Sequence, residues 1–556
     1  MGLDAVNPPD VTAADGAADL TADVVVIGFG AAGACAALEA AETGADVLVL
    51  ERFSGGGTSA LSGGIIYAGG GTTVQRAAGV RDTPEQMLAY LRREVGDAVS
   101  PQTLHRFVEQ SPDMIDWLSG HGVPFDASLC PYKTSYPNDK YYLYYSGSEV
   151  SGYGREVAEP AQRGHRVKGR GTSGKKMTDP LIASALRHGV RVETLTAATR
   201  LLTDAEGRVT GVECRTLRAA PARVRARYRR LASIANKPGI YYPPLRKRLM
   251  RQLAAMDERY GRIIRVRAER GVVVSSGGFI SNRDLVRQYG PQYRHGLELG
   301  SMGDDGSGIL MSREVGAATD RMGNISAWRF ILPPSCFTGA LLVDAAGRRV
   351  IDETRYGAAV GHKLVNEHDG QGWVLADAER MRTAVRLINR EATWFQRAQF
   401  EVMRRNAKRG ATLEEAACAA GIDPAGLRAT VEEHNAAIAA GAPDPVGKPA
   451  EFTESVRGGP YWLLDVGIKP SLTNPCPMLT LGGVVVDETT GAVRSTAGEI
   501  IPGLFAAGRT AVGICSDSYV SGLSLADCVF SGRRAGAHAA RVPARAVPEP
   551  ATAEGN

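Results

Sequence analysis

The chain is poor in the residues that build metal centres. It has 9 histidines in 556 residues, and its 8 cysteines are scattered without a single C-x-x-C pair. That spacing argues against a structural zinc site, an iron–sulfur cluster or a disulfide scaffold, so no metal site is expected. No apolar run reaches the roughly 18–20 residues needed to span a bilayer. Residues 1–20, rich in Ala, Asp and Pro, lack the basic start and apolar centre of a secretory signal. With these classes set aside, a cytoplasmic enzyme is the expectation.

Glycine, by contrast, is abundant, with 66 residues and no strict period, as numerous tight turns and close backbone approaches to a ligand require. A chain this long exceeds one simple core and predicts two domains, or one domain split by an insertion. The most informative stretch is "ADVVVIGFGAAGACAALEAAETGADVLVLER". Asp23 to Ile27 read as a buried parallel strand, followed by Gly28-x-Gly30-x-x-Gly33, an Ala-rich helix and a second strand from Val47 to Leu50. Glu51 follows 23 positions after the first glycine, close to where a ribose-binding acid stands. Gly28 permits the turn, Gly30 admits a pyrophosphate, and Gly33 lets helix and strand pack. The helix N-terminus, with Ala31 and Ala32, faces the phosphates.

Behind this acid and Arg52 lies a second Gly/Ser loop, "GGGTSALSGGIIYAGGG", in which Thr58, Ser59, Ser62, Gly63 and Gly64 offer further donors. Large flavoproteins have such a loop there, whereas nicotinamide-dependent domains do not usually need one. "GVVVSSGGF", with Ser276 and Gly277, and "GEIIPGLFAAGRTAVG", with Gly508 and Arg509, are two more strands that run into glycine. These segments suggest one FAD assembled from distant parts of the chain, and Ala198, Ser524 and Leu525 complete the expected cofactor set. No histidine sits in an obvious attachment context, so the FAD is expected to be non-covalent.

Together these segments resemble the flavoproteins related to succinate dehydrogenase and fumarate reductase. Within that group, "YVSGLSLADCVFSGRRAG" and "GRRVIDETRYG" are most similar to 3-ketosteroid dehydrogenases of the Δ4-(5α) type. The resemblance implies an α/β fold: a Rossmann-like FAD-binding domain, residues 22–278 and 471–540, interrupted by an α+β catalytic domain at 279–470. Residues 1–21 and 541–556 are expected to be disordered. It also implies catalytic hydroxyls from Tyr356, in Glu353-x-x-Tyr356, and from Tyr519 and Ser521, in Tyr519-x-Ser521. Tyr519 would donate to the steroid C3 oxygen, with a backbone N–H of Gly482 or Gly483 as second donor. Ser521 would take the C4 proton, and Tyr356 would relay it.

Other chemistries stay open. A Δ1-dehydrogenase would draw an extra tyrosine from an early loop, and "CPYKTSYPNDKYYLYYSG" is rich in them. A fumarate-reductase-like enzyme would need a His/Arg cluster and a segment such as T-E-x-x-R-G-E-G, which is absent. "AWRFILPPSCF" suits a flat apolar substrate better than a dianion. Finally, residues 216–262 carry 13 Lys or Arg against two acids, a local +11 that leaves the rest of the chain at −6. Two helix-forming runs flank "KPGIYYPP" within a β-meander. A solvated helical excursion is the plain reading. A surface for anionic lipid is the sharper one, making the enzyme peripherally membrane-associated. Nucleic acid is not an expected partner, and the electron acceptor and oligomeric state are not legible.

Overall fold

The computed structural model describes residues 18–469 and 474–544. Of the expected disordered ends, residues 1–17 and 545–556 lie outside the described residues, as do 470–473 at the start of the expected second flavin segment. Order extends further than expected at both ends: the first strand is Leu20–Ile27 and the last helix Leu523–Arg541.

The apolar, β-branched strands make a central sheet that is covered on both faces. Its order is Ala492–Arg494, Ile500–Ala506, Arg262–Val274, Leu20–Ile27, Val47–Glu51, Arg191–Thr194. All pairings among the last five are parallel, while Ala492–Arg494 is antiparallel to its neighbour. Val24, Val25 and Val26 are fully buried, each contributing about 1.5–3 kcal/mol. Helix Ala31–Glu42 covers one face together with Leu523–Arg541. The two helices pack closely: a Cβ at Gly536 would lie 2.1 Å from the Ala36 carbonyl oxygen, and at Gly532 2.5 Å from that of Ala32.

The meander Thr196–Thr203, Val209–Thr216 and Arg262–Val274 branches off the first half of the interior strand Arg262–Val274, with Thr216 directly opposite Arg262. The basic stretch therefore leaves and re-enters at adjacent positions of one hairpin. It folds as helices Ala222–Asn236 and Pro243–Tyr260 joined by the turn Gly239–Tyr241. Tyr228, Ala232, Ala235, Leu249 and Leu253 form a small core against Leu195, Leu217 and Met302. Buried Arg246 anchors it to the body, donating to Ser281 Oγ at 2.9 Å and the Gly300 carbonyl at 3.0 Å.

The inserted unit is built on the antiparallel sheet Leu341–Val343, Trp373–Ala376, Tyr461–Asp465, Lys408–Gly410, with helices around it. Its lower boundary differs from the expected 279. Helix Ser307–Glu314 packs on strand Thr196–Thr203, and Thr319–Asp320 pairs with Gly483–Val484, so residues 279–320 lie largely against the flavin-side sheet. The physical reason is Gly308, which lies so close to Val274 and Ser276 that no side chain fits between them.

Candidate active site

A cavity of about 730 Å³ runs from the first glycine turn to the inserted unit. At the nucleotide end, Gly28 has φ +93°, and a Cβ there would meet the Ser275 carbonyl oxygen at 2.9 Å. Gly30 faces open space, its nearest neighbour being Ser59 Oγ at 3.6 Å. Helix Ala31–Glu42 begins there without a side-chain cap, leaving its N-terminal dipole to the cavity. Ala31 N–H donates to Ser59 Oγ at 3.2 Å. The buried Glu51 carboxylate accepts from Phe29 N–H at 2.9 Å and Phe53 N–H at 2.7 Å, one on each oxygen.

Gly28, Gly30, Ala31, Ala32, Glu51 and Arg52 line this end, with Thr58, Ser59, Ser62, Gly63 and Gly64 from the loop behind. Ala198, Ser276, Gly277, Gly508, Arg509, Ser524 and Leu525 complete it. Gly33 does not line it. A Cβ there would lie 1.9 Å from the Gly28 carbonyl oxygen, so this glycine serves helix–strand packing alone.

Sequence reasoning missed Asp304, which ties three of these segments together. It accepts from Thr58 Oγ1 at 2.6 Å, Gly278 N–H at 2.9 Å and Arg509 Nη2 at 2.7 Å. Its only sequence signal is a pair of acids between turn glycines, Gly303 to Gly306. Arg509 Nη1 is buried and finds no hydrogen-bond partner. A dinucleotide fits this end on three counts: an uncapped helix start, a glycine turn that leaves open space over Gly30 which a side chain would fill, and an orphaned guanidinium N–H. No histidine is among the cavity-lining residues described.

At the other end, Tyr519 and Ser521 enter from the segment before helix Leu523–Arg541, and Tyr356 enters from the inserted unit. The Tyr356 and Tyr519 rings lie 6.3 Å apart. Ser521 Oγ is 3.4 Å from Tyr144 Oη, and Ser521 and Tyr356 line the same cavity. Burial raises the pKa of all three phenols. The Ser524 hydroxyl and a Gly522 backbone N–H work the other way on Tyr519, as Ser521 does on Tyr356. At neutral pH these phenols are protonated donors. Trp328 stacks on Tyr519 at 4.9 Å and 18°.

Tyr356 is held from behind. It starts helix Gly357–Glu367, and its N–H donates to Ser148 Oγ at 3.2 Å. Glu353 sits away from the cavity in a buried cluster, 2.7 Å from both Arg349 and Lys448 and accepting Leu342 N–H at 2.6 Å. The acid of Glu353-x-x-Tyr356 is thus an anchor. A second cavity of about 10 Å³, room for one water, lies behind Tyr356 between Lys133 and Arg355.

One expectation fails. Gly482 and Gly483 do not line the cavity: a Cβ on them would strike the carbonyl oxygens of Arg321 at 2.2 Å and Thr510 at 2.4 Å. Gly483 is instead committed to strand pairing with Asp320. Gly522, with φ +94° just ahead of the last helix, lines the cavity instead, next to Tyr519. The apolar walls are Trp328, Phe330, Ile331, Leu332 and Pro333, from the segment already noted, together with Phe395, Phe400 and Met403. The last three carry no motif; only folding brings helix Trp394–Asn406 here.

The FAD binding domain model matches residues 23–520. The chain is 38% identical over 499 residues to the 3-oxo-5-alpha-steroid 4-dehydrogenase of Comamonas testosteroni, covering 87% of this chain and 92% of that one. It is 27% identical over 589 residues to a 3-oxosteroid 1-dehydrogenase of Mycobacterium tuberculosis, covering 89% and 94%. Among solved structures it is similar to the 3-ketosteroid-Δ4-(5α)-dehydrogenase of Rhodococcus jostii RHA1 in complex with 4-androstene-3,17-dione. That match has a TM-score of 0.79 and 31% identity, covering 95% of this chain and 98% of that one. With a continuous match across both halves of the nucleotide fold, this chain belongs to the FAD-binding flavoprotein family described by that model.

Proposed function

We propose that this chain is an FAD-dependent dehydrogenase that oxidises a 3-ketosteroid, introducing a double bond between C4 and C5. The observation that carries the reading is the meeting of Tyr519, Ser521 and Tyr356 in an apolar cavity continuous with the nucleotide cradle. The similarity to 4-dehydrogenases supports the regiochemistry.

Gly28, Gly30, Ser59, Glu51 and Arg509 would hold the FAD, without a covalent bond, and the bound flavin supplies the acceptor for the C5 hydride. The chain's own residues handle the proton. A ketone α-hydrogen becomes acidic only when negative charge on the carbonyl oxygen is stabilised. Tyr519, kept protonated by burial, donates to the C3 oxygen, and the N-terminus of the 19-residue helix Leu523–Arg541 adds its dipole. Ser521 accepts the C4 proton as its own passes to the Tyr356 oxygen, and Tyr356 in the same relay gives up its phenolic proton to a water in the small cavity that it lines with Lys133 and Arg355. A serine alone is a poor base, and this second hydroxyl meets that need. The steroid's flat apolar body lies between Trp328, Phe330 and Leu332 on one side and Phe395 and Met403 on the other, which also excludes water.

One contact favours a second reading, Δ1-dehydrogenation: Tyr144, from the early tyrosine-rich loop, reaches Ser521. Anaerobic mixing of the yellow holoenzyme with a 5α-3-ketosteroid, and separately with a 4-ene-3-ketosteroid, distinguishes them. Bleaching by the first alone is expected; bleaching by the second alone establishes Δ1 chemistry, and bleaching by neither removes the steroid reading.

A further inference from the structure

Two exposed, basic and aromatic banks each place a residue in the lining of the cavity. On one, Tyr241 both lines the cavity and is 49% exposed, and its neighbour Tyr242 is 52% exposed. These residues form the tip of the helical hairpin, around which Arg229, Arg230, Lys237, Lys247, Arg248 and Arg251 are all exposed. Among the described residues none of the six forms an ion pair, whereas Arg218 at the hairpin's base pairs with Glu193. Acids do not offset them: the hairpin's two are Asp257, which is bonded to Tyr228, and Glu258.

On the other bank, Phe395 lines the cavity and Trp394 beside it is 77% exposed, the most exposed large apolar side chain described. Arg382, Arg386 and Arg390 of the preceding helix, Ala378–Glu391, and Arg397 of helix Trp394–Asn406 are exposed and without carboxylate partners among the described residues. Glu391 between them is buried and turned inward to Ser335.

Unpaired cations repel one another and gain nothing from clustering unless an anion neutralises them. Exposed Trp and Tyr beside Lys and Arg is the composition of surfaces that settle at the headgroup level, where rings enter the interface and cations meet phosphates. A solvated hairpin would explain the charge but not the exposed aromatic rings beside the cavity lining. We propose that the two banks dock the protein on an anionic lipid bilayer, so that an apolar substrate enters the cavity from the membrane without crossing water. No helix among the described residues is long and apolar enough to cross a membrane, so this contact is peripheral. The purpose of the docking rests on the steroid reading, but lipid binding itself does not, and it is measured without turnover.

The test is flotation of the full-length holoenzyme with vesicles rich in phosphatidylglycerol and with vesicles of phosphatidylcholine alone. Recovery on the anionic vesicles should exceed that on the neutral ones by at least about tenfold and fall as salt rises past the screening range. The variant R229E/R230E/K247E/R248E should lose this excess while keeping its flavin spectrum and its turnover of dispersed substrate. Trp394→Ser should weaken recovery with the charge intact. Equal recovery on both vesicles overturns the proposal, as does an unchanged quadruple variant. Retention on an acidic protein column or on RNA without vesicle recovery also overturns it, since the patch then reads another polyanion.

Discussion

In the proposed reaction Tyr519 is the residue on which the chemistry turns, because it lines an apolar cavity just ahead of a helix N-terminus. Replacing one donor of such an oxyanion site costs about 10²–10³ in rate. Tyr519→Phe is therefore expected to slow anaerobic flavin reduction by about that factor. Its ring, stacked on Trp328, and its bound FAD should remain in place. Stopped-flow absorbance checks this, and a normal rate would take Tyr519 out of the mechanism. The residue pattern also shows how similar signals carry different roles. Tyr356 faces the cavity, whereas Glu353 of the same motif is locked to Arg349 and Lys448 behind it. Gly28 and Gly30 line the cavity, whereas Gly33 is packed against the Gly28 carbonyl.

At the scale of elements, helix Leu523–Arg541 serves both halves of the site: its start faces the cavity and its body seals helix Ala31–Glu42 through Gly532 and Gly536. It carries a buried carboxyl, Asp527, whose pKa is raised from 3.8 to about 6, first by burial, against which Arg534 and the Ile514 N–H work only in part. A raised folded-state value in an acid means that the charged form is penalised. The penalty is absent below the unfolded value, grows as pH rises through the window between 3.8 and about 6, and is complete above it. It amounts to about 3 kcal/mol, an order of magnitude for a fully buried carboxyl. Asp527→Asn, which keeps an acceptor for Ile514, should raise Tm over the parent at about pH 8 and match it at about pH 4. Thermal melts at the two pH values decide it; an equal gain at both would show that charge is not the cause.

Across the whole molecule, the site exists only where segments separated by hundreds of residues meet, and Asp304 is the knot. It joins the loop at Thr58, the strand end at Gly278 and the C-terminal Arg509. Removing one partner of a buried ion pair leaves the other uncompensated, at about 3–5 kcal/mol. Asp304→Ala should purify with reduced FAD content and a lowered Tm that added FAD partly restores, since a ligand specific for the folded state stabilises it by mass action. Absorbance ratios and melts with and without FAD measure this; full FAD occupancy with an unchanged Tm would leave Asp304 without that role.

What the amino-acid sequence determined alone is what short-range physics writes into neighbouring residues. The β-branched run from Val24 to Ile27, the glycine turn, the Ala-rich helix and Glu51 specify one another within a single βαβ unit. Tyr519 and Ser521 share a face because alternate residues of an extended segment do. Even the basic hairpin was legible, since its helix-forming runs break at Pro238 and its ends return to one meander at Thr216 and Arg262. Tertiary structure alone decided the rest, because those choices depend on contacts of high sequence separation. It withdrew Gly482 and Gly483 from the cavity by packing them on Arg321 and Thr510, and put Gly522 beside Tyr519 instead. It brought Asp304 and Phe395 to the site, and set Tyr241 of the hairpin in the cavity lining. No local pattern marks these residues, since burial and unsatisfied charge are defined only once distant segments have come together.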